Sequence, residues 1–409
     1  MRKEGPLEKV ISEKEFISKL GKREQSFFAV GDLLMEEREL SQRYYSKLET
    51  EAHNLETFLD NHRARGNRSF IYFTELVASI RWFANAIHTL KHILNRYSRY
   101  GLRNNERFFT DMQKTIKFCN LSLVKLYKAL REEALSLGVK VSPPRLKEEE
   151  FVEGEAQECL PQNIDEIYCL VEGEKITEVT FQYVDAAEKL SELVEKNTLT
   201  EDRIEEVMST FHRIQSKYDS YISGGKEEKK DKRISLFRGY TSISLHLLEV
   251  IFYLFHFYER HAREEISEVK RKISEIIDAG EVNKKIILLL NYAKWYALEG
   301  NKLARKLLKD YADVTLAREK VIIPKGSILH LRPASALVEP VIQSTSPVLL
   351  EIDGKRVRAN SVLEIIAAMG EVADKIEEND VEMVLQGDQK VVRKMKENFL
   401  SKIVDQSKV

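Results

Sequence analysis

His330 is the residue in this chain whose chemistry is easiest to use. It falls between the β-branched run Val321-Ile322-Ile323 and a stretch carrying Leu337, Val338, Val341 and Ile342 at helical spacing. A residue at such a junction faces first-turn N–H groups, up to four of which have no partner inside their own helix. Those donors, the positive end of the helix dipole and the guanidinium of Arg332 together make a place for an oxyanion. Imidazole is nucleophilic near neutral pH, so it could take up a phosphoryl group there and hand it on. The amides of Leu331 and Arg332 would hold the phosphoryl oxygens, and the Arg332 fork would bind two at once, which lysine cannot do. Pro333 costs nothing, because an N–H missing from a first turn breaks no helix bond.

The plainer reading is that His330 caps a helix and that Arg332 faces solvent. A cation in a first turn opposes the helix dipole, however, unless an anion joins it. The other histidines offer less. His88, His92 and Arg96 stand one turn apart, as do His256 and Arg260. No carboxylate or cysteine follows them at zinc-like spacing, so no metal is expected and the stripe reads as polar lining. Glycine-rich phosphate loops, nucleotide fingerprints and hydrolase elbows are lacking, and no cofactor is called for.

Proline maps the elements that must position His330. None occurs between Leu7 and Ser142, or between Gln162 and Ile323. Both tracts are rich in Leu, Glu, Lys and Arg and read as helical, since a proline inside a helix costs about 3 kcal/mol. Leu76, Ile80, Phe83, Ile87, Leu90, Leu94 and Tyr97 alternate in steps of four and three, and Phe109, Met112, Ile116, Cys119, Leu123, Leu126 and Leu130 do the same. The expected helices are 22–63, 70–99 and 105–136 in the first tract, and 176–222, 235–262 and 281–312 in the second. This parallel suggests duplicated three-helix units forming one mainly α body. Ile243 to Tyr258 is apolar nearly all round, yet it holds Glu249 and falls short of the ~20 residues a spanning helix needs. It reads as the central helix of a bundle. The charge run Lys226 to Lys232 reads as a solvated hairpin loop.

After Arg318 the period changes. Strands are expected at Lys320–Ile323, Val348–Ile352, Arg356–Val357 and Val381–Leu385, with helices at 332–344, 361–369 and 389–403. The order is β-α-β-β-α-β-α. The resulting domains are a helical unit at 1–142, an acidic proline-containing linker at 143–174, a second helical unit at 175–318 and an α+β domain at 319–409.

The α+β segment resembles HPr, the histidine-containing phosphocarrier family of the sugar phosphotransferase system. Leu329, His330, Arg332, Pro333 and Ala334 match the family signature in register. Ile352-Asp353-Gly354-Lys355-Arg356-Val357 is similar to its second hairpin, and Asn360-Ser361-Val362-Leu363 to the start of its serine-bearing helix. The resemblance covers about a fifth of the chain and implies an open-faced sandwich. It also implies phosphoryl acceptance at His330, possible regulatory phosphorylation at Ser361 and partner docking through Val362, Leu363 and Ile366. The donor would be an enzyme I-like protein, and the acceptor a sugar-specific IIA-type component or a regulator. Departures are Ile328 for glycine, Leu331 for alanine, Asn360 for lysine and Glu364 for glycine, and the segment from Gly370 to Asp380 is longer than in the family. Ile328 and Glu364 favour, and His330 and Arg332 oppose, a second reading, in which the helical body is a scaffold or sensor and the α+β domain docks proteins without turning over phosphate.

Bulk properties fit either reading. Apolar residues make up 43% and charged residues 32% of the 409, with a net charge of −1, so the overall balance does not favour nucleic acid or membrane insertion. Cys119, Cys159 and Cys169 make an odd, scattered set, which points to a reducing compartment and a cytoplasmic setting. The N-terminus carries no apolar run that would mark a signal peptide. The helical body could also support homo-oligomers.

Overall fold

The computed structural model describes residues 9–36, 39–141, 146, 172–262, 268–312, 316–327, 331–344 and 348–404. The chain is mostly helical, with a small antiparallel sheet of four strands near its C-terminal end. It divides into two compact units. The first takes in 1–163, 187–215 and 238–299; the second takes in 164–186, 216–237 and 300–409. Of the second helical tract, 172–186, 216–237 and 300–312 fall in the same unit as the sheet.

In the first tract the helices are α1 (Glu13–Arg23), α2 (Gln25–Asp32), α3 (Gln42–Asn61), α4 (Ile71–Arg96) and α5 (Glu106–Ser136). The expected 22–63 helix is broken, and α1 and α3 start at serine caps: Ser12 accepts from Glu15 N–H and Ser41 from Tyr44 N–H, each at 3.2 Å. The periodic residues form the core. Leu76, Ile80, Phe83, Ile87 and Leu90 of α4 and Met112, Cys119, Leu123, Leu126 and Leu130 of α5 are fully buried.

The second tract contains α6 (Glu172–Glu195), α7 (Glu201–Tyr221), α8 (Lys226–Lys230), α9 (Lys232–Phe257), α10 (Glu268–Ile276) and α11 (Ala279–Ala312). The expected 176–222 helix is two helices. Asn197 turns the chain through a left-handed φ of 50°, which asparagine tolerates, and Thr200 accepts from Arg203 N–H to start α7. The 226–232 charge run is a short helix rather than a loop. The buried Glu172 carboxylate accepts from the Glu227 and Glu228 amides at 2.9 and 3.2 Å and so caps it. The apolar helix at α9 continues into a π-turn at Tyr258–Ala262. Its length and composition would suit a bilayer, but 67% of its most apolar window is buried inside the protein, as expected of a core helix.

The C-terminal elements are β1 (Leu316–Ile323), α12 (Leu331–Ser344), β2 (Val348–Ile352), β3 (Lys355–Arg358), α13 (Val362–Gly370), α14 (Ala373–Glu378), β4 (Val381–Asp388) and α15 (Gln389–Val404). The strands lie in the order β1-β4-β2-β3, every pair antiparallel, with Val321 opposite Met383 and Leu350 opposite both Leu385 and Val357. Asp353 and Gly354, at φ 51° and 82°, make the tight turn joining β2 to β3, as a primed two-residue hairpin requires. The Gly370 to Asp380 segment holds α14, an element periodicity did not reveal.

Alternate residues of the strands meet α12, α13 and α15 in one apolar core, centred on Leu337, Leu350, Ile365, Met383, Leu385 and Phe399. The opposite face is not simply open. Val384, Gln386 and Asp388 on it are buried, and Arg356 reaches Asp185 of α6 within the same unit. A period of two marks which residues leave the core, but not whether water or another element meets them.

Candidate functional site

The helix α12 begins at Leu331, directly after His330 in the sequence. Leu331 and Arg332 are exposed, whereas Pro333 and Ala334 are already buried. Pro333 brings no N–H to this part of the helix. Leu337, Val338 and Val341 anchor the helix in the core. It runs to Ser344 in spite of Pro340, which lacks the N–H that would meet the Ala336 carbonyl. Ile328, Leu329 and His330 lie outside the described residues.

The chain leaving β1 is pinned just before them. Lys325 N–H donates to the Asp380 carboxylate and Gly326 N–H to the Ile376 carbonyl, both at 2.8 Å. Gly326 has φ 74°, a conformation that suits glycine. The segment from Gly370 to Asp380 therefore supports the approach to the site.

Ser361 is the N-cap of α13, with extended backbone and its hydroxyl accepting from Glu364 N–H at 3.3 Å. Leu363 is 77% exposed, while Val362 and Ile366 are half-buried against the core. Of the three expected docking residues, Leu363 thus has the most free surface. α12 and α13 pack together, so the elements bearing Arg332 and Ser361 are neighbours.

Several polar arrangements had no clear sequence signal. Arg356 Nη1 lies 2.5 Å from Asp185 Oδ1 and its Nε 2.8 Å from Glu351 Oε2; Arg318 also reaches Glu351, at 3.3 Å. The His92 and His246 rings meet edge to face at 4.8 Å, and burial followed by the charge of His246 pushes His92 down to about 4. The expected polar lining thus faces α9. Burial raises Glu24 to about 7, and both of its carboxyl oxygens are buried without a hydrogen-bond partner. Burial also pushes the Cys119 thiol up to about 12, leaving it protonated and inert. Cys159 and Cys169 lie outside the described residues. Among the described residues no group of three His, Cys, Asp or Glu could hold a metal.

No family model, curated protein or solved structure matches this chain.

Proposed function

We propose that this chain is a phosphoryl carrier or regulator of the phosphotransferase type. His330 would accept a phosphoryl group from an enzyme I-like donor and pass it to a sugar-specific component or regulator in the cytoplasm. An imidazole nitrogen forms the N–P bond as the donor's bond to phosphorus breaks, and the ring proton leaves to solvent. The observation that carries this reading is the start of α12. Leu331 and Arg332, both exposed residues of α12, follow His330 in the sequence, and a helix start with an arginine beside it suits a dianionic group. The strand order and the element order around it support an HPr-like domain. Leu363 on the neighbouring helix supplies apolar surface for the partner protein.

The second reading, a helical scaffold with a docking domain that no longer carries phosphate, draws on exposed Glu364, whose charge sits beside Leu363. Incubation of the whole chain with phosphoenolpyruvate and the first enzyme of the system separates the two. The carrier reading expects acid-labile phosphate on the protein and none on His330→Ala. Absence of label from both proteins, under conditions that label an authentic carrier, rejects it.

A further inference from the structure

Within the first unit α5 lies beside the 279–299 part of α11. Tyr292 donates its hydroxyl to Asp111 at 2.8 Å, Phe108 meets the Tyr292 ring at 5.1 Å, and the Lys285 ammonium sits 5.8 Å from the Phe118 ring centre. Higher numbers on α5 meet lower numbers on α11, so the two run antiparallel and ring contacts fill the seam.

The outward side of α5 carries Lys114, Lys117, Leu121, Lys125 and Lys128 at steps of three and four, all of them exposed. Leu121 is 55% exposed, and Trp295, on α11 near the N-terminal end of the stripe, is 46% exposed. The sequence has no Asp or Glu between Asp111 and Glu132. The four lysines enter no ion pair or hydrogen bond among the described residues. This is unusual for a chain whose 65 basic and 66 acidic residues almost cancel. The overall balance hides a face of one sign.

We propose that this face docks on an anionic lipid bilayer. A lysine can lay its alkyl stem along an apolar boundary and keep its ammonium among headgroups, and tryptophan favours the same boundary. The lysines span about 21 Å along a straight helix, long enough to meet several headgroups at once. Each lysine near an anionic surface strengthens binding about fivefold, so four acting together make a weak contact substantial. A nucleic-acid partner fits less well, because these helix-interior amides are already bonded and no arginine fork lies among the lysines. An acidic peptide finds no groove, since the seam is filled.

The test uses the full chain carrying Trp82→Phe, which leaves Trp295 as the sole indole because the sequence holds two tryptophans. The protein is mixed with vesicles of phosphatidylcholine alone or with added phosphatidylglycerol. The expected result is co-sedimentation and a blue shift of Trp295 emission with the anionic vesicles only, both reversed by salt. Lys117→Glu/Lys125→Glu, at two exposed positions, should keep its helical circular dichroism and bind at least a hundredfold more weakly. The proposal is overturned by equal binding to both vesicle types, by no binding to either, by an unaffected double variant, or by salt-sensitive binding to duplex DNA or an acidic peptide in place of vesicles. None of these outcomes depends on phosphorylation of His330.

Discussion

Arg356 on β3 and Asp185 on α6 form a nearly buried ion pair across 171 residues of sequence, with side chains only 10% and 12% exposed. Glu351 takes the guanidinium Nε at 2.8 Å, so the arginine is bound from two sides. Removing Asp185 takes one of two carboxylates from a nearly buried guanidinium, which Glu351, 21% exposed, offsets only in part. Asp185→Leu is expected to cost about 3 kcal/mol in urea unfolding. Asp185→Leu/Arg356→Met should recover much of that loss, because packed apolar residues replace a buried pair well. A double variant no more stable than the single one would show that the pair is not the fastening.

The carboxyl of Glu24 gives the fold a pH dependence of known sign. Its pKa is raised from 4.5 to about 7 by burial, so folding favours the protonated form. The stability it leaves intact is fully present below pH 4.5 and is lost as pH rises through about 7. The loss on ionisation is about 3 kcal/mol. Glu24→Gln should therefore match the native chain near pH 4.5 and exceed its stability at pH 8. Urea unfolding across that range checks it, and parallel curves for the two proteins would count against the assignment.

At Gly239 a side chain has no room. A Cβ there would stand 2.0 Å from the backbone oxygen of Tyr100, which cannot rotate away as a side chain could. Gly239→Ala is expected to cost about 3 kcal/mol or more through overpacking. Gly173, in the first turn of α6, meets nothing within 4 Å, so Gly173→Ala should stabilise by up to about 1 kcal/mol. Thermal unfolding of the two variants gives the comparison.

Ser361 caps α13, and this role has its own signature. Ser361→Ala should lower stability by about 1 kcal/mol, whereas Ser361→Asp, itself a good cap beside a helix N-terminus, should stay near the native value. Equal loss in both variants would show that the hydroxyl does something a carboxylate cannot. Thermal unfolding measures both.

Much of the chain was legible before its structure. Steps of three and four in α4 and α5 announce helices because burial of one face repeats with the period of the backbone. Asp353-Gly354 announces its hairpin because few residues accept a positive φ there. The pairing of Leu331, Arg332 and Pro333 with a helix start was equally visible, since an N-terminus is a local event. Helix breaks were harder: Asn197 sits in a strongly helical context and stops it by one backbone angle. The lysine stripe of α5 was also open to view at positions 114, 117, 125 and 128, but totals of charge conceal it.

The sequence by itself determined most of the long helices and the strands, and which of their faces are apolar. These follow from interactions that span a few residues. Only the tertiary structure decided that Arg356 meets Asp185, that Glu24 is shut away from water, that α11 lies along α5 and that part of the second helical tract belongs with the sheet. Those facts depend on which of many compatible apolar faces meet in space, a choice made by the packing of the whole chain at once.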